Sequence, residues 1–193
     1  KKLNIMFPLI AEPWEFDEAK AIFDKQIEYQ KSKGKQLPIA VRYGAMLEVP
    51  ALAECLDMLA GRLDFLSIGT NDLTQFLFAA DRSNPKLAER FDWLSPAILR
   101  FLKRVAEKAD ELSIPFSVCG EMGGRPLDAL ALLSLGIENL SITPASVGSI
   151  KAMVRSTNLA EAKQFMATTL LNPSRDIRGE LSKWAEKQKI DLG

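Results

Sequence analysis

The sequence contains no histidine among its 193 residues and only two cysteines. Without histidine, this chain cannot itself use histidine as an acid, base, nucleophile or phosphoryl acceptor, or bind zinc through imidazole. Two cysteines do not form a disulfide framework, which favours a reducing, cytoplasmic location. Any chemistry must therefore depend on carboxylates, Arg, Lys, amides, hydroxyls or a single thiol.

Net charge and long apolar segments are missing as well. The 25 basic and 25 acidic side chains cancel, so we expect no general attraction to nucleic acid. No apolar run approaches the roughly 18 residues that span a membrane, and the first residues do not resemble a signal peptide. Apolar residues make up 47% of the sequence, which favours a packed core. We therefore expect a globular protein that binds neither nucleic acid nor membranes.

Short apolar runs alternate with longer segments of helical periodicity. Strands are predicted at 3–9, 39–49, 64–68 and 115–119, with a weaker fifth strand at 139–142. Because the strands are apolar on both faces and helices follow them, the pattern predicts an α/β fold with a parallel sheet. Four βα units occupy about residues 1–137, whereas a closed (β/α)₈ barrel typically needs about 250 residues. The pattern therefore leaves open a small open sheet or half of a barrel.

The C-terminal part has a different pattern. Asn158 and Glu161 are typical of a helix start, and Asn172-Pro173 is predicted to end that helix near residue 171. A second, charged helix is predicted around residues 181–187. We therefore divide the chain into a βα region at 1–155 and a helical appendage at 156–193.

Acidic residues follow two neighbouring predicted strands. Glu48 follows the second strand and Asp72 follows the third, so both are expected at the edge where parallel strands end. Two carboxylates without an intervening lysine suit Mg²⁺, which typically takes one or two protein carboxylates plus substrate oxygens. The alternative is that Glu48 is an acid at the start of the helix after Pro50 and that Asp72 caps its own helix.

The same edge carries candidate anion-binding and thiol groups. Thr70 and Asn71 lie at a predicted helix start, where backbone N–H groups can hold an anion. Arg82 could contact a phosphate from one helix further along, although a surface pair with Asp81 is the alternative. Cys119 is either a proton donor beside Gly120 or a small buried apolar residue.

Four motifs follow one another in an order that is typical of one family. They are Gly44-x-Met46-x-Glu48-x-Pro50-Ala51, Asp64-Phe65-x-Ser67-Ile68-Gly69-Thr70-Asn71-Asp72-Leu73-Thr74-Gln75, Asp81-Arg82 and Cys119-Gly120-Glu121. This set resembles the C-terminal PEP-binding domain of the phosphoenolpyruvate–protein phosphotransferases, the Enzyme I proteins. The resemblance runs from about residue 4 to about residue 155. Segments 118–124 and 140–144 most resemble the nitrogen-regulatory branch, often called PtsP.

The resemblance implies a PEP-binding (β/α)₈ barrel of the TIM type, of which this chain would hold about the C-terminal half plus C-terminal helices. By this resemblance, Glu48 and Asp72 would ligate Mg²⁺. Asn71 and Arg82 would contact the phosphoryl group, together with the backbone near Thr70. Magnesium and arginine would neutralise charge on the transferring phosphoryl group and on the developing enolate.

The family also assigns a proton donor and partners. Cys119 would donate the proton to the enolate carbon as pyruvate forms, a role that a thiol protonated at pH 7 can fill. The family's phosphoryl-accepting histidine lies in a separate N-terminal domain, which would pass the group to an HPr-like phosphocarrier. We therefore expect a C-terminal fragment of a cytoplasmic, homodimeric PEP-dependent phosphotransferase, inactive by itself.

Two other functions stay open. Pyruvate phosphate dikinase and PEP synthase share this domain, but they usually have Phe where Ile68 stands and a Ser-Arg-Asp-Asp-like string near Arg82. Alternatively, the chain is a dimerisation module without its own catalysis, because half a barrel exposes strand edges and apolar faces. Arg125 stands where many relatives have Asp and adds positive charge near the site.

Overall fold

The computed structural model of the chain describes residues 1–88 and 92–193. Its centre is a parallel sheet of four strands in the order β1-β2-β3-β4. The strands are β1 (Lys2–Phe7), β2 (Ala40–Leu47), β3 (Phe65–Gly69) and β4 (Phe116–Cys119). All four lie within one or two residues of predicted strands, which confirms the α/β prediction.

The strand order distinguishes the two architectures that the sequence left open. Each strand pairs in parallel with the next strand along the chain, so every connection advances in the same direction. Since such connections are almost always right-handed, this order places the connecting helices on one face of the sheet. A sheet covered in this way is an arc of a (β/α)₈ barrel, because doubly wound sheets reverse their strand order.

The predicted fifth strand is wrong. Segment 139–142 contributes only an isolated parallel bridge between Val118 and Leu140. The backbone there nevertheless follows β4: the N–H of Val118 donates to the carbonyl of Asn139, and the N–H of Ser141 donates to the carbonyl of Val118. The segment extends the parallel direction of the sheet without forming a regular ladder.

Helices connect the strands and continue after β4. They are α1 (Pro13–Ser32), α2 (Thr70–Phe78), α3 (Pro85–Ala88), α4 (Pro96–Glu111), α5 (Pro126–Ser134), α6 (Val147–Ser156), α7 (Leu159–Leu171) and α8 (Ile177–Lys187). Three 3₁₀ helices cover Pro50–Leu59, Glu121–Gly124 and Pro144–Ser146. Proline at the first turn starts α1, α4 and α5, where a missing N–H costs nothing. Ser95 caps α4, because its hydroxyl accepts a hydrogen bond from the N–H of Ile98.

The core lies between the sheet and its helices. Many apolar side chains of β2, β3, β4, α4 and α5 are buried, which agrees with the predominantly apolar composition of these strands. The least exposed members include Leu47, Leu66, Ile68, Leu99, Leu102, Val118, Leu130 and Leu132. This packing leaves the carboxyl ends of the strands free to carry polar side chains.

The C-terminal helices pack against the βα region. Both α7 and α8 contact α5. The guanidinium of Arg100 on α4 donates two hydrogen bonds, of 2.6 and 3.2 Å, to the carbonyl of Leu170. Asn158 caps α7, and the helix ends at Leu171 before Pro173, both as predicted. The division at residue 155 stays a prediction, but the helices after it are attached to the sheet region by specific contacts.

Candidate functional site

Three strand ends meet at one edge of the sheet. In the register of the sheet, Leu47 lies beside Ile68, and Gly69 lies beside Cys119. Glu48 directly follows β2, and Asp72 lies in the first turn of α2, which starts where β3 ends. The structure therefore brings the predicted carboxylates and the predicted thiol to the same edge of neighbouring strands.

Glu48 is buried and fixed by its neighbours. Its side chain is only 4% exposed, and its Oε1 accepts a 2.8 Å hydrogen bond from the backbone N–H of Leu9. Its Oε2 lies 3.1 Å from the point where a Cβ on Gly69 would stand. Glu48 neither caps nor enters the 3₁₀ helix that follows, whose N-cap is Val49. The carboxylate is therefore held at the strand edge beside a space that only glycine leaves open.

Asp72 pairs with Arg82. The Oδ1 of Asp72 lies 3.2 Å from an Nη of Arg82, and the two side chains are 35% and 52% exposed. Asp72 does not cap α2, whose N-cap is Gly69 without a side-chain cap. Asp81 does not pair with Arg82 but accepts hydrogen bonds from the N–H and hydroxyl of Ser83. Arg82 is therefore directed back toward the strand edge, as the anion-binding interpretation requires.

Two residues at the start of α2 form hydrogen bonds with the loop after β4. The hydroxyl of Thr70 donates a 3.1 Å hydrogen bond to the carbonyl of Cys119. The Oδ1 of Asn71 accepts a 3.2 Å hydrogen bond from the N–H of Glu121. Between them, Gly120 has φ of +109°, and an added Cβ would stand 2.5 Å from the Thr70 hydroxyl. Glycine is thus required for this close approach.

Cys119 has a polar neighbour on β3, Ser67, that is not among the predicted site residues. The hydroxyl of Ser67 donates a 3.2 Å hydrogen bond to the Cys119 sulfur. Ser67 is only 6% exposed, whereas Cys119 is half-buried. In the sequence, Ser67 is the single polar side chain of an otherwise apolar strand. Such a position indicates a hydrogen-bonding partner nearby, because buried polar groups need partners. Accepting a hydrogen bond on sulfur orients the thiol and leaves its own proton available.

A cleft of about 920 Å³ opens at this edge of the molecule. Its walls are formed by Asn71, Thr74, Gln75, Ala80, Arg82, Ser83, Asp92, Trp93, Glu121, Arg125 and Arg178. Of the predicted residues, Asn71 and Arg82 line it. Glu48, Thr70, Asp72 and Cys119 are outside its lining, although the ion pair with Arg82 connects Asp72 to it.

The lining of the cleft includes a stacked arginine. The guanidinium of Arg125 lies over the ring of Trp93, 4.6 Å from its centroid. The same guanidinium lies 3.3 Å from the carboxylate of Glu121. Arg125 thereby connects the indole to the loop that follows Cys119.

A further contact at the cleft joins Arg178 to two aspartates. Arg178 donates two 2.6 Å hydrogen bonds to Asp92 and lies 2.7 Å from Oδ1 of Asp128. Asp128 is fully buried, and neither of its carboxylate oxygens has a hydrogen-bond partner of good geometry within residues 1–88 and 92–193. The contact with Arg178 is therefore an ion pair.

Burial and charge shift the pKa values of these groups in different directions. Burial opposes ionisation of Asp92, but hydrogen bonds from Arg178 and from the N–H of Leu94 outweigh it and hold its pKa below the ordinary value. Burial raises the pKa of Asp128, although the charge of Arg178 opposes the rise. Hydrogen bonding to Asp92 raises the pKa of Arg178, so this guanidinium stays charged.

Comparison with known proteins identifies the family. Residues 1–159 match the PEP-binding domain of PEP-utilising enzymes. The chain belongs to this family.

Curated relatives of this PEP-binding domain are phosphotransferases. The chain is 36% identical over 188 residues to a "Phosphoenolpyruvate-dependent phosphotransferase system" protein of Escherichia coli K12, covering 96% of the chain and 25% of the relative. It is 37% identical over 163 residues to the phosphoenolpyruvate-protein phosphotransferase of Staphylococcus carnosus, covering 84% of the chain and 28% of the relative. The chain thus spans about a quarter of the length of these relatives.

A solved structure supports the fold of the PEP-binding domain. A citrate lyase from Burkholderia xenovorans LB400 superposes with a TM-score of 0.53 at 18% identity, covering 98% of this chain and 65% of that one. This likeness concerns the fold alone.

No helix within the described parts of this PEP-binding domain is long and apolar enough to cross a membrane.

The residues of this PEP-binding domain fit a hard divalent cation. No group of three or more His, Cys, Asp or Glu side chains that could hold a metal occurs in the described residues. Mg²⁺ does not need such a group, since it commonly keeps waters and takes one or two carboxylates plus substrate phosphate oxygens. Glu48 and Asp72 offer oxygen donors of the kind that this coordination uses. Glu48 is buried, and the absence of a side chain at Gly69 leaves space beside its Oε2.

Proposed function

We propose that the protein containing this chain transfers the phosphoryl group of phosphoenolpyruvate to a protein histidine and that this chain supplies part of the PEP site. The proposal rests on one observation above all: Glu48, Asn71-Asp72, Arg82 and Cys119 come together at one strand edge in a chain of the PEP-utilising family. Because this chain contains no histidine, the acceptor must lie outside it.

Binding of the phosphoryl group would fall to residues on and after α2. Arg82 offers a planar guanidinium, and its partner Asp72 keeps it at the strand edge. Asn71 and the backbone at Thr70 lie at the N-terminus of α2, where N–H groups favour an anion. These groups would orient the phosphoryl group for in-line transfer.

Glu48 and Asp72 would hold Mg²⁺. The bound ion would neutralise negative charge on the phosphoryl group and on the developing enolate. Leu9 fixes one oxygen of Glu48 by hydrogen bonding, which leaves the other oxygen as the donor beside Gly69.

Cys119 would complete the reaction as the proton donor. Transfer breaks the bond between phosphorus and the enol oxygen, and the electron pair of that bond stays on oxygen as the enolate of pyruvate. The terminal carbon of the enolate then takes the proton of the Cys119 thiol, and solvent reprotonates the thiolate. Ser67 supports this role because its hydroxyl donates to the sulfur and keeps the thiol in place.

The partners follow from the same proposal. A histidine in another part of the protein would receive the phosphoryl group and pass it to an HPr-like phosphocarrier. We also propose a cytoplasmic homodimer. Apolar side chains exposed on and beside the edge strand β1, among them Leu3, Leu9 and Ile39, are available for association.

The test uses the full-length protein with labelled PEP and Mg²⁺. The double variant Glu48→Gln, Asp72→Asn should lose histidine phosphorylation. The matched control is Glu54→Gln, Asp57→Asn, which removes the same charges from exposed positions on the adjacent 3₁₀ helix. Phosphorylation that persists in the first variant at the control's rate would refute the proposal.

A further inference from the structure

We propose that Arg178 on the C-terminal helix α8 is a positioning residue for phosphoenolpyruvate, because it holds together the wall of the cleft that carries Trp93 and Arg125. This inference deepens the proposed function and rests on it. The appendage at 156–193 would thereby be part of the substrate site, although it carries none of the family motifs.

Arg178 joins three elements that are distant in sequence. Its guanidinium binds Asp92, which precedes α4, with two hydrogen bonds of 2.6 Å. It also lies 2.7 Å from Asp128 in the first turn of α5. One side chain of α8 therefore fixes the relative positions of the segment at residue 92 and the start of α5.

Both attachment points lie next to residues that shape the cleft. Asp92 immediately precedes Trp93, on whose ring Arg125 lies. Arg125 is the N-cap of α5, three residues before Asp128, and also pairs with Glu121. A displacement at Arg178 would therefore move the indole and the guanidinium that line the cleft together with Asn71 and Arg82.

Charge balance gives Arg178 a second effect on the same wall. Two carboxylates share its guanidinium, and one of them, Asp128, is fully buried. The charge of Arg125 also acts on Asp92 and Asp128, though less than that of Arg178. If Arg178 loses its charge, these carboxylates attract Arg125 more strongly, and the positive potential that the cleft offers to an anion falls.

The experiment compares Arg178→Gln and Arg178→Lys with Arg100→Gln in the full-length protein. Arg100 is a matched control, because it also attaches the C-terminal helices, through the carbonyl of Leu170, but is not part of the cleft wall. Two quantities are measured. The first is KM for PEP and kcat for pyruvate formation. The second is the ¹⁹F resonance of Trp93 in 5-fluorotryptophan-labelled protein, assigned by its loss in Trp93→Phe.

We expect Arg178→Gln to raise KM for PEP on the order of tenfold, with a much smaller effect on kcat, because it disturbs binding rather than the reacting groups. It should also shift the Trp93 resonance. Arg178→Lys should give intermediate values, since lysine keeps the charge without the planar fork. Arg100→Gln should change neither quantity, even where it lowers the unfolding temperature.

Two results would overturn the inference. One is an unchanged KM in Arg178→Gln at a temperature where the protein is folded, and the other is an equal change in Arg100→Gln. Failure of the proposed function would look different, because wild-type protein would then form no pyruvate from PEP. In that case the Trp93 resonance still tests the positioning role, and an unshifted resonance in Arg178→Gln would refute it.

Discussion

Replacing Gly120 with alanine should damage both the stability of the fold and the site. Gly120 follows Cys119 with φ of +109° and ψ of 178°, a region that is open essentially to glycine alone. An added Cβ would stand 2.5 Å from the hydroxyl of Thr70 and 3.0 Å from Oδ1 of Asn71. These two side chains form the hydrogen bonds that hold the loop after β4 against α2.

Two contributions set the expected loss in the free energy of unfolding. Alanine in this backbone region costs about 1–3 kcal/mol. Displacing the Thr70 hydroxyl from the carbonyl of Cys119 removes a hydrogen bond with a net contribution of about 0.5–1.5 kcal/mol. Together they lower the free energy of unfolding by about 2–4 kcal/mol, which corresponds to roughly 5–15 °C in the unfolding temperature of a chain of this size.

The assay is thermal unfolding of the chain by circular dichroism, with pyruvate formation from PEP by the full-length protein measured in parallel. Gly61→Ala is the control, because Gly61 has φ of +75° and open space around its Cβ position. It should cost only about 1–2 kcal/mol and leave pyruvate formation intact. Gly120→Ala with the stability and activity of Gly61→Ala would refute the reasoning.

Three further predictions concern the thiol, pH and association. Cys119→Ala should slow pyruvate formation by on the order of a hundredfold or more. The control Cys55→Ala replaces the other half-buried cysteine and should leave the rate almost unchanged. Equal rates in the two variants would exclude Cys119 as the proton donor. Burial and the hydrogen bond to Asp24 raise the pKa of Tyr43 from 10.0 to about 12. The contribution of Tyr43 to the free energy of unfolding should therefore be complete below pH 10 and be lost between about pH 10 and 12. In Tyr43→Phe, the free energy of unfolding should change less with pH across this range. A pH dependence identical to that of the wild type would contradict this assignment. In sedimentation at micromolar concentration the isolated chain should self-associate, and a single species near its monomer mass of 21.4 kDa would disprove this.

The sequence predicted the sheet well because burial leaves a simple pattern. Strands such as β3 (Phe65–Gly69) are apolar on both faces and bounded by turns, so their positions follow from composition alone. The segment at 139–142 has similar composition but forms only one bridge, because strand pairing depends on neighbours that a local pattern does not reveal. The helix predicted after Pro50 is a 3₁₀ helix for a similar reason: local periodicity does not distinguish the two types.

The site was predictable where it lies at strand ends. Glu48, Asp72 and Cys119 reach one edge because parallel strands end together. Their roles as metal ligands and proton donor stay predictions. Arg178 and its contact with Asp92 could not be predicted, because these residues are 86 positions apart and Arg178 lies in a helix without a motif.

Divalent-cation binding is the most direct test of whether Glu48 and Asp72 hold a metal ion. Titration of the full-length protein with Mn²⁺ in the presence of PEP, followed by electron paramagnetic resonance, counts the bound ions. We expect one tight site in the wild type and in the Glu54→Gln, Asp57→Asn control, and loss of that site in Glu48→Gln, Asp72→Asn. A site of unchanged affinity in the latter variant would contradict it.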